Sequence, residues 1–171
     1  MKNFSVKQLI IAPLLLCLCL AVRGQEEEMT AEKMLAIFNM KFEIAAPDAT
    51  FTATEQGWEE EATRAKLVCS ALPAPYERVL ADFMEITMPD DIKLISKDTM
   101  SVGGLAGYLM VTEATPPADE PEQEHFYGIM YIRSWDKLST LNINAIYPKS
   151  QHERLYRKML ATFATVRKKE D

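Results

Sequence analysis

Thiol and imidazole chemistry in this sequence would fall first to Cys69 and to His125 and His152. A nucleophile needs a base within hydrogen-bond reach. Cys69 and His125 are distant in sequence and no local signature joins them. A thiol-dependent enzyme using Cys69 is therefore the weaker reading. The stronger one is a small buried hydrophobe, where free cysteine usually sits. His152 falls in the first turn of a helical stretch as an exposed polar residue. Metal chemistry has as little to work with, because the chain has no His-x-x-x-His and no Asp-x-Asp-x-Asp-Gly loop. Asp119, Glu120, Glu122 and Glu124 crowd one loop and read as a solvated acidic run. Gly103–Gly104 lies between two strand patterns rather than opening a helix, so it does not cradle phosphate. The expectation is a non-enzymatic chain with no cofactor, no metal and no catalytic residue.

One constellation of polar residues is less bland. Phe126–Arg133 and Leu138–Tyr147 read as a hairpin around Ser134–Lys137, in which opposite residues have numbers summing to 271. Met130 then faces Leu141 and Gly128 faces Ile143, giving an apolar face. The other face brings Tyr127 against Asn144, Ile129 against Asn142 and Tyr131 against Thr140, with Arg133 at its end. Buried amides cost free energy unless they find partners. Tyr127, Tyr131, Arg133, Asn142 and Asn144 are thus expected to bind a small polar ligand or a partner protein. The alternative is a half-exposed face whose amides pair with each other or with a covering helix. The expectation depends on the loop, because a slip of one residue moves every side chain to the opposite face.

The elements that would position these residues follow from spacing. Thr30 caps a short helix, with Met29 and Met34 as a staple and Met34, Leu35 and Phe38 on one face. Lys41–Glu55, interrupted at Pro47–Asp48, reads as strands and a turn, and Gln56–Gly57 as another turn. Thr63–Ala71 alternates Ala65, Leu67, Cys69 and Ala71 against Arg64, Lys66, Val68 and Ser70, a strand with one buried face. Pro75 opens a helix whose stripe is Tyr76, Val79, Leu80, Phe83 and Ile86. Ile92–Ser101 and Leu105–Glu113 flank the two-glycine turn of a first hairpin. Phe126–Arg133 is apolar at nearly every residue, as a strand covered on both faces is. Ser150 and Glu153 form a capping box for a last helix carrying Leu155, Tyr156, Met159, Leu160 and Phe163. The basic end Arg167–Lys169 suits the negative C-terminus of that helix. Hairpin connections imply an α+β fold with an antiparallel sheet packed by helices.

From Leu72 to Arg167 the sequence resembles the Mog1/PsbP-like family. The matching residues are Pro75–Phe83, Met100-Ser-Val-Gly-Gly-Leu-Ala-Gly107, the strand around Phe126–Arg133, Leu141–Pro148 and Leu160–Val166. Gln56-Gly57-Trp58 is only a loose match to the family's Pro-Gly-Trp strand end. The resemblance implies an α/β/α sandwich with an antiparallel sheet, and a tendency toward non-catalytic binding or assembly roles.

Compartment follows from the first residues. Lys2 and Lys7 precede an apolar run from Leu9 to Val22, and Val22 and Gly24 stand where cleavage needs small or β-branched residues. Residues 1–24 read as a signal peptide, 25–29 as an acidic leader and 30–171 as one α+β domain. The apolar run is shorter than the roughly 20 residues a membrane span needs. Lipid attachment through Cys17 or Cys19 is the alternative, though leucine rather than a small residue precedes each. The whole chain has 19 basic and 25 acidic residues; without Lys2, Lys7 and Arg23 its net charge moves from −6 to −9. Such a field repels phosphate backbones, so nucleic acid is not an expected partner. Only Cys69 would survive cleavage, which removes any intramolecular disulfide. The reading is an exported periplasmic or secreted binding or assembly module acting on an envelope protein or small ligand. The alternative is a small-ligand carrier with a pocket between sheet and helix.

Overall fold

The computed structural model describes residues 29–116 and 124–169. The expected signal peptide with Cys17 and Cys19, nearly all of the acidic leader, and Asp119, Glu120 and Glu122 of the acidic loop lie outside the described residues. The described elements run α1 Ala31–Phe38, β1 Phe42–Glu43, β2 Thr52–Ala53, β3 Gly57–Glu60, β4 Ala65–Leu72, α2 Tyr76–Glu85, β5 Ile92–Val102 and β6 Leu105–Ala114. They continue with β7 Phe126–Ser134, β8 Thr140–Pro148, a 3-10 turn Lys149–Gln151, α3 His152–Phe163 and β9 Arg167–Lys168. Seven strands form one antiparallel sheet in the order β2-β3-β4-β8-β7-β6-β5, and β1 pairs with β9 in a second, two-stranded sheet. No helix among the described residues is long and apolar enough to cross a membrane.

Alternation decides how the large sheet is covered. In β4 the residues Ala65, Leu67, Cys69 and Ala71 are buried while Lys66, Val68 and Ser70 are half-buried. Ala65, Leu67 and Cys69 join Ile129, Tyr131, Leu141 and Ile143 beneath Leu155, Met159 and Phe163 of α3. On the opposite face Tyr108, Met110 and Ile132 pack with Leu72, Val79 and Phe83, the last two from α2. A helix thus lies on each side of one antiparallel sheet, so the fold is α+β and of the α/β/α kind. Gly103 and Gly104, at φ 60° and 80°, close the β5–β6 hairpin between Val102 and Leu105. Positive φ at both turn positions matches the right-handed twist of the strands, and glycine adopts it without steric cost.

Three local expectations need correction. Helix α1 is capped by Thr30, whose Oγ1 accepts from the Lys33 amide at 3.3 Å. Its buried residue is Ile37, however, and Leu35 and Phe38 are 61% and 42% exposed. The helix packs toward β4, Met34 is half-buried, and the rest of its apolar face is uncovered. Ser150 and Glu153 form no capping box, since Ser150 donates its hydroxyl to Glu124 and a 3-10 turn leads into α3 instead. Arg167 and Lys168 belong to β9 rather than to the helix end, and Arg167 pairs with Glu43 at 2.7 Å.

Candidate functional site

The register of β7 and β8 determines which polar side chains can meet. Tyr127 lies opposite Tyr147, Met130 opposite Asn144, and Ile132 opposite Asn142, so paired numbers sum to 274 rather than 271. The connection is Trp135–Ser139, one residue longer than expected, and Trp135 donates its amide to the Ser139 carbonyl at 3.1 Å. An odd shift exchanges the faces of one strand relative to the other. Tyr127, Tyr131 and Arg133 therefore share the α3 face with Leu141 and Ile143. Asn142 and Asn144 lie on the α2 face.

On the α3 face these side chains are occupied. Tyr131 is 1% exposed, stacks on Phe163 at 6.1 Å and donates its hydroxyl to the Leu105 carbonyl at 2.8 Å. Arg133 lies 5.2 Å from the Trp135 ring centre and donates to the Ser134 carbonyl. Burial pushes the Cys69 thiol up to about 12, with the Arg133 charge opposing it weakly. A thiol held neutral in this way is a poor nucleophile. His125 is elsewhere, with Nδ1 2.7 Å from Glu113. Tyr127 meets His152 edge-on at 4.7 Å, and the Tyr147 hydroxyl lies 3.2 Å from His152 Nδ1.

Two buried carboxylates tie the α3 face to its surroundings. The Lys149 ammonium, 2.7 Å away, and His125 hold Glu113 below the usual carboxylate range. Burial would raise Glu60, but Arg154, Thr50 and Thr63 together outweigh it and hold Glu60 down. Arg154 also reaches Asp48 at 3.2 Å, and Lys158 reaches Asp48 at 2.8 Å. These groups are saturated with partners: Arg154 and Lys158 fasten α3 to the first strands, and Lys149 ties the turn before α3 to β6. Among the described residues no group of three or more His, Cys, Asp or Glu side chains is placed to hold a metal ion.

The α2 face is different because α2 covers only part of it. Beside the helix lies an open groove of about 180 Å³. Two cross-sheet rows make its floor: Lys66, Ile146, Gly128 and Thr112, then Val68, Asn144, Met130 and Met110. Ile86, Met88, Pro89 and Ile92, which follow α2, form the wall. Gly128 gives the floor its depth. A Cβ there would meet only Thr112 Oγ1, at 2.8 Å, and would otherwise enter open space. Glycine inside a strand weakens it and often marks close approach of a ligand or another chain. Asn144 is half-buried, and its carboxamide has no hydrogen bond among the described residues. One row further, under α2, Ser70 Oγ, Asn142 Oδ1 and Tyr108 OH are buried without a protein partner.

Of the five expected site residues, only Asn144 lines this groove. Sequence reasoning misses its other members because the post-helix segment 86–92 carries no motif. Gly128 inside an apolar strand is the available signal.

No family model matches the chain, and no curated protein does. Solved structures similar to it include PsbP (CyanoP) from Synechocystis, 7% identical, with a TM-score of 0.42 over 75% of this chain and 82% of that one. LpqN of Mycobacterium tuberculosis, described as involved in cell envelope biogenesis, is 7% identical, with a TM-score of 0.48 over 84% of this chain and 99% of LpqN. A protein of Bacteroides thetaiotaomicron is 9% identical, with a TM-score of 0.46 over 77% of this chain. This chain spans 43% of that protein's length.

Proposed function

We propose that this chain is a non-enzymatic binding module of the cell envelope, which takes an apolar ligand in the groove beside α2. The observation that carries this reading is the open apolar floor around Gly128, in the interior of a seven-stranded sheet. Apolar concave surfaces with a few polar groups are the usual form of ligand sites. A volume near 180 Å³ suits a small apolar group, since an engineered cavity of about 150 Å³ takes benzene. Met88, Met110 and Met130 supply flexible, polarizable contacts that adapt to a ligand. The saturated ion pairs and neutral thiol of the α3 face support a scaffold role there.

A fluorescence titration with 1-anilinonaphthalene-8-sulfonate tests the groove. Saturable binding in the native chain is expected, and it should be lost when Gly128→Val with Thr112→Ala fills the floor. Binding unchanged by that pair would place the ligand elsewhere. Export belongs to the same proposal, supported by Lys2, Lys7 and the apolar run Leu9–Val22. A product whose mass begins at Gln25, recovered from a bacterial envelope fraction, is expected. A full-length product kept inside the cell would overturn export.

A further inference from the structure

The groove is not uniformly apolar, and the charged residue of its lining stands at one end. Lys66 of β4 lines it directly, and Asn144 stands on the adjacent strand one row further in. Arg64 immediately precedes β4. Its guanidinium lies 5.0 Å from the centre of the Phe126 ring. Phe126 sits on the same face as Gly128, one row beyond the groove floor. Arg64 has no carboxylate within ion-pair distance among the described residues. Lys66 has one, Glu59 on the neighbouring strand at 2.9 Å, with both side chains partly exposed. Lys66 and Asn144 thus stand on the β4–β8 side of the groove, and Arg64 lies just outside it, over Phe126. At the opposite end are Met88, Pro89, Ile92 and Met110, with no charge among them.

We infer that the groove binds a single-chain alkyl carboxylate, with the carboxylate at the Arg64–Lys66 end and the tail across Gly128 toward Met110 and Pro89. This rests on the proposed binding role of the groove and adds the ligand's chemistry. Charge complementarity selects the class. The protein as a whole is acidic, at −6, so a patch of cationic and amide donors beside an apolar floor favours an anionic head over a neutral one. A guanidinium matches a carboxylate with paired N–H donors, and the Asn144 amide adds another donor. The bare Cα of Gly128 lets a methylene chain lie against the sheet, where each buried methylene contributes about 0.8 kcal/mol. A neutral peptide would use Asn144 and the apolar floor but would make no use of the two positive charges.

Calorimetric titration of the full chain with octanoate, octanol and N-acetyl-leucine amide tests this. Octanoate should bind about five- to tenfold more tightly than octanol, the scale expected for partly exposed charge pairs. Arg64→Ala with Lys66→Ala should bring that ratio to about one while octanol still binds, showing that the variant is folded. Glu59→Gln, which frees Lys66, should raise the octanoate preference. Octanol or the leucine amide binding as tightly as octanoate would overturn the alkyl carboxylate and leave the groove reading standing. Binding of none of the three by the native chain would overturn both. A double variant that keeps the full preference would overturn the assigned orientation.

Discussion

Tyr131 and Met130 are neighbours in one strand, yet they live in different surroundings. Tyr131 points into the α3 face, is 1% exposed and has its hydroxyl satisfied by a main-chain carbonyl. Met130 points to the α2 face and is only half-buried, on the floor of an open groove. The same division runs across the sheet. The α3 side is closed by a twelve-residue helix and fastened at its margins by the Glu60–Arg154 and Glu113–Lys149 pairs. The α2 side is capped by a ten-residue helix that stops short, leaving Val68, Gly128 and Asn144 accessible. A sheet with two such faces separates tasks: one side stabilises the fold, and the other has room for a ligand.

Core truncation on the two faces should show the largest contrast. Phe163→Ala, on the closed face, is expected to cost about 3–5 kcal/mol, against about 1–2 kcal/mol for Met130→Ala, both read from urea unfolding. Equal costs would erase the distinction between a packed and an open face.

Acid should act on the closed face next. Glu60, Glu113 and Asp48 all titrate below their ordinary range in the folded protein. A carboxylate lowered by folding contributes stability above its unfolded pKa of about 4, and that stability is lost as pH falls through the folded value. The melting temperature should therefore fall below about pH 4.5, and less steeply in Glu113→Gln than in the native chain. A parallel decline in the two proteins would remove Glu113 from the account.

Thiol labelling probes the same closure at one atom. With its pKa near 12 and its side chain buried, Cys69 should resist iodoacetamide at pH 8 until the chain is unfolded in urea. Rapid native labelling would mean that the α3 face opens. The smallest effect belongs to the groove rim, where Lys66→Ala should change stability by less than about 1 kcal/mol, as exposed ion pairs do. A larger loss would make Lys66 part of the scaffold rather than of a binding edge.

Much of the architecture is legible in the residues themselves. The alternation of Ala65, Leu67, Cys69 and Ala71, the Tyr76–Val79–Phe83 stripe and the two-glycine turn each reappear in the fold where the local pattern puts them. The site is less legible. Asn142 and Asn144 cannot be separated from Tyr127 and Tyr131 without knowing that Trp135–Ser139 makes a five-residue connection. Alternation says which residues share a face within one strand. It does not say which face meets which across a turn.

Taken alone, the sequence determined the composition, the charge, the leader-like N-terminal pattern and the period of each element, because these depend on residues near one another in the chain. Tertiary structure decided the hairpin register, the splitting of the five polar residues, and the burial that raises the Cys69 thiol. It also decided that α2 ends too early to cover Gly128. Each of these is a property of packing between distant segments, where a single residue of register or one turn of helix changes which side chains face water.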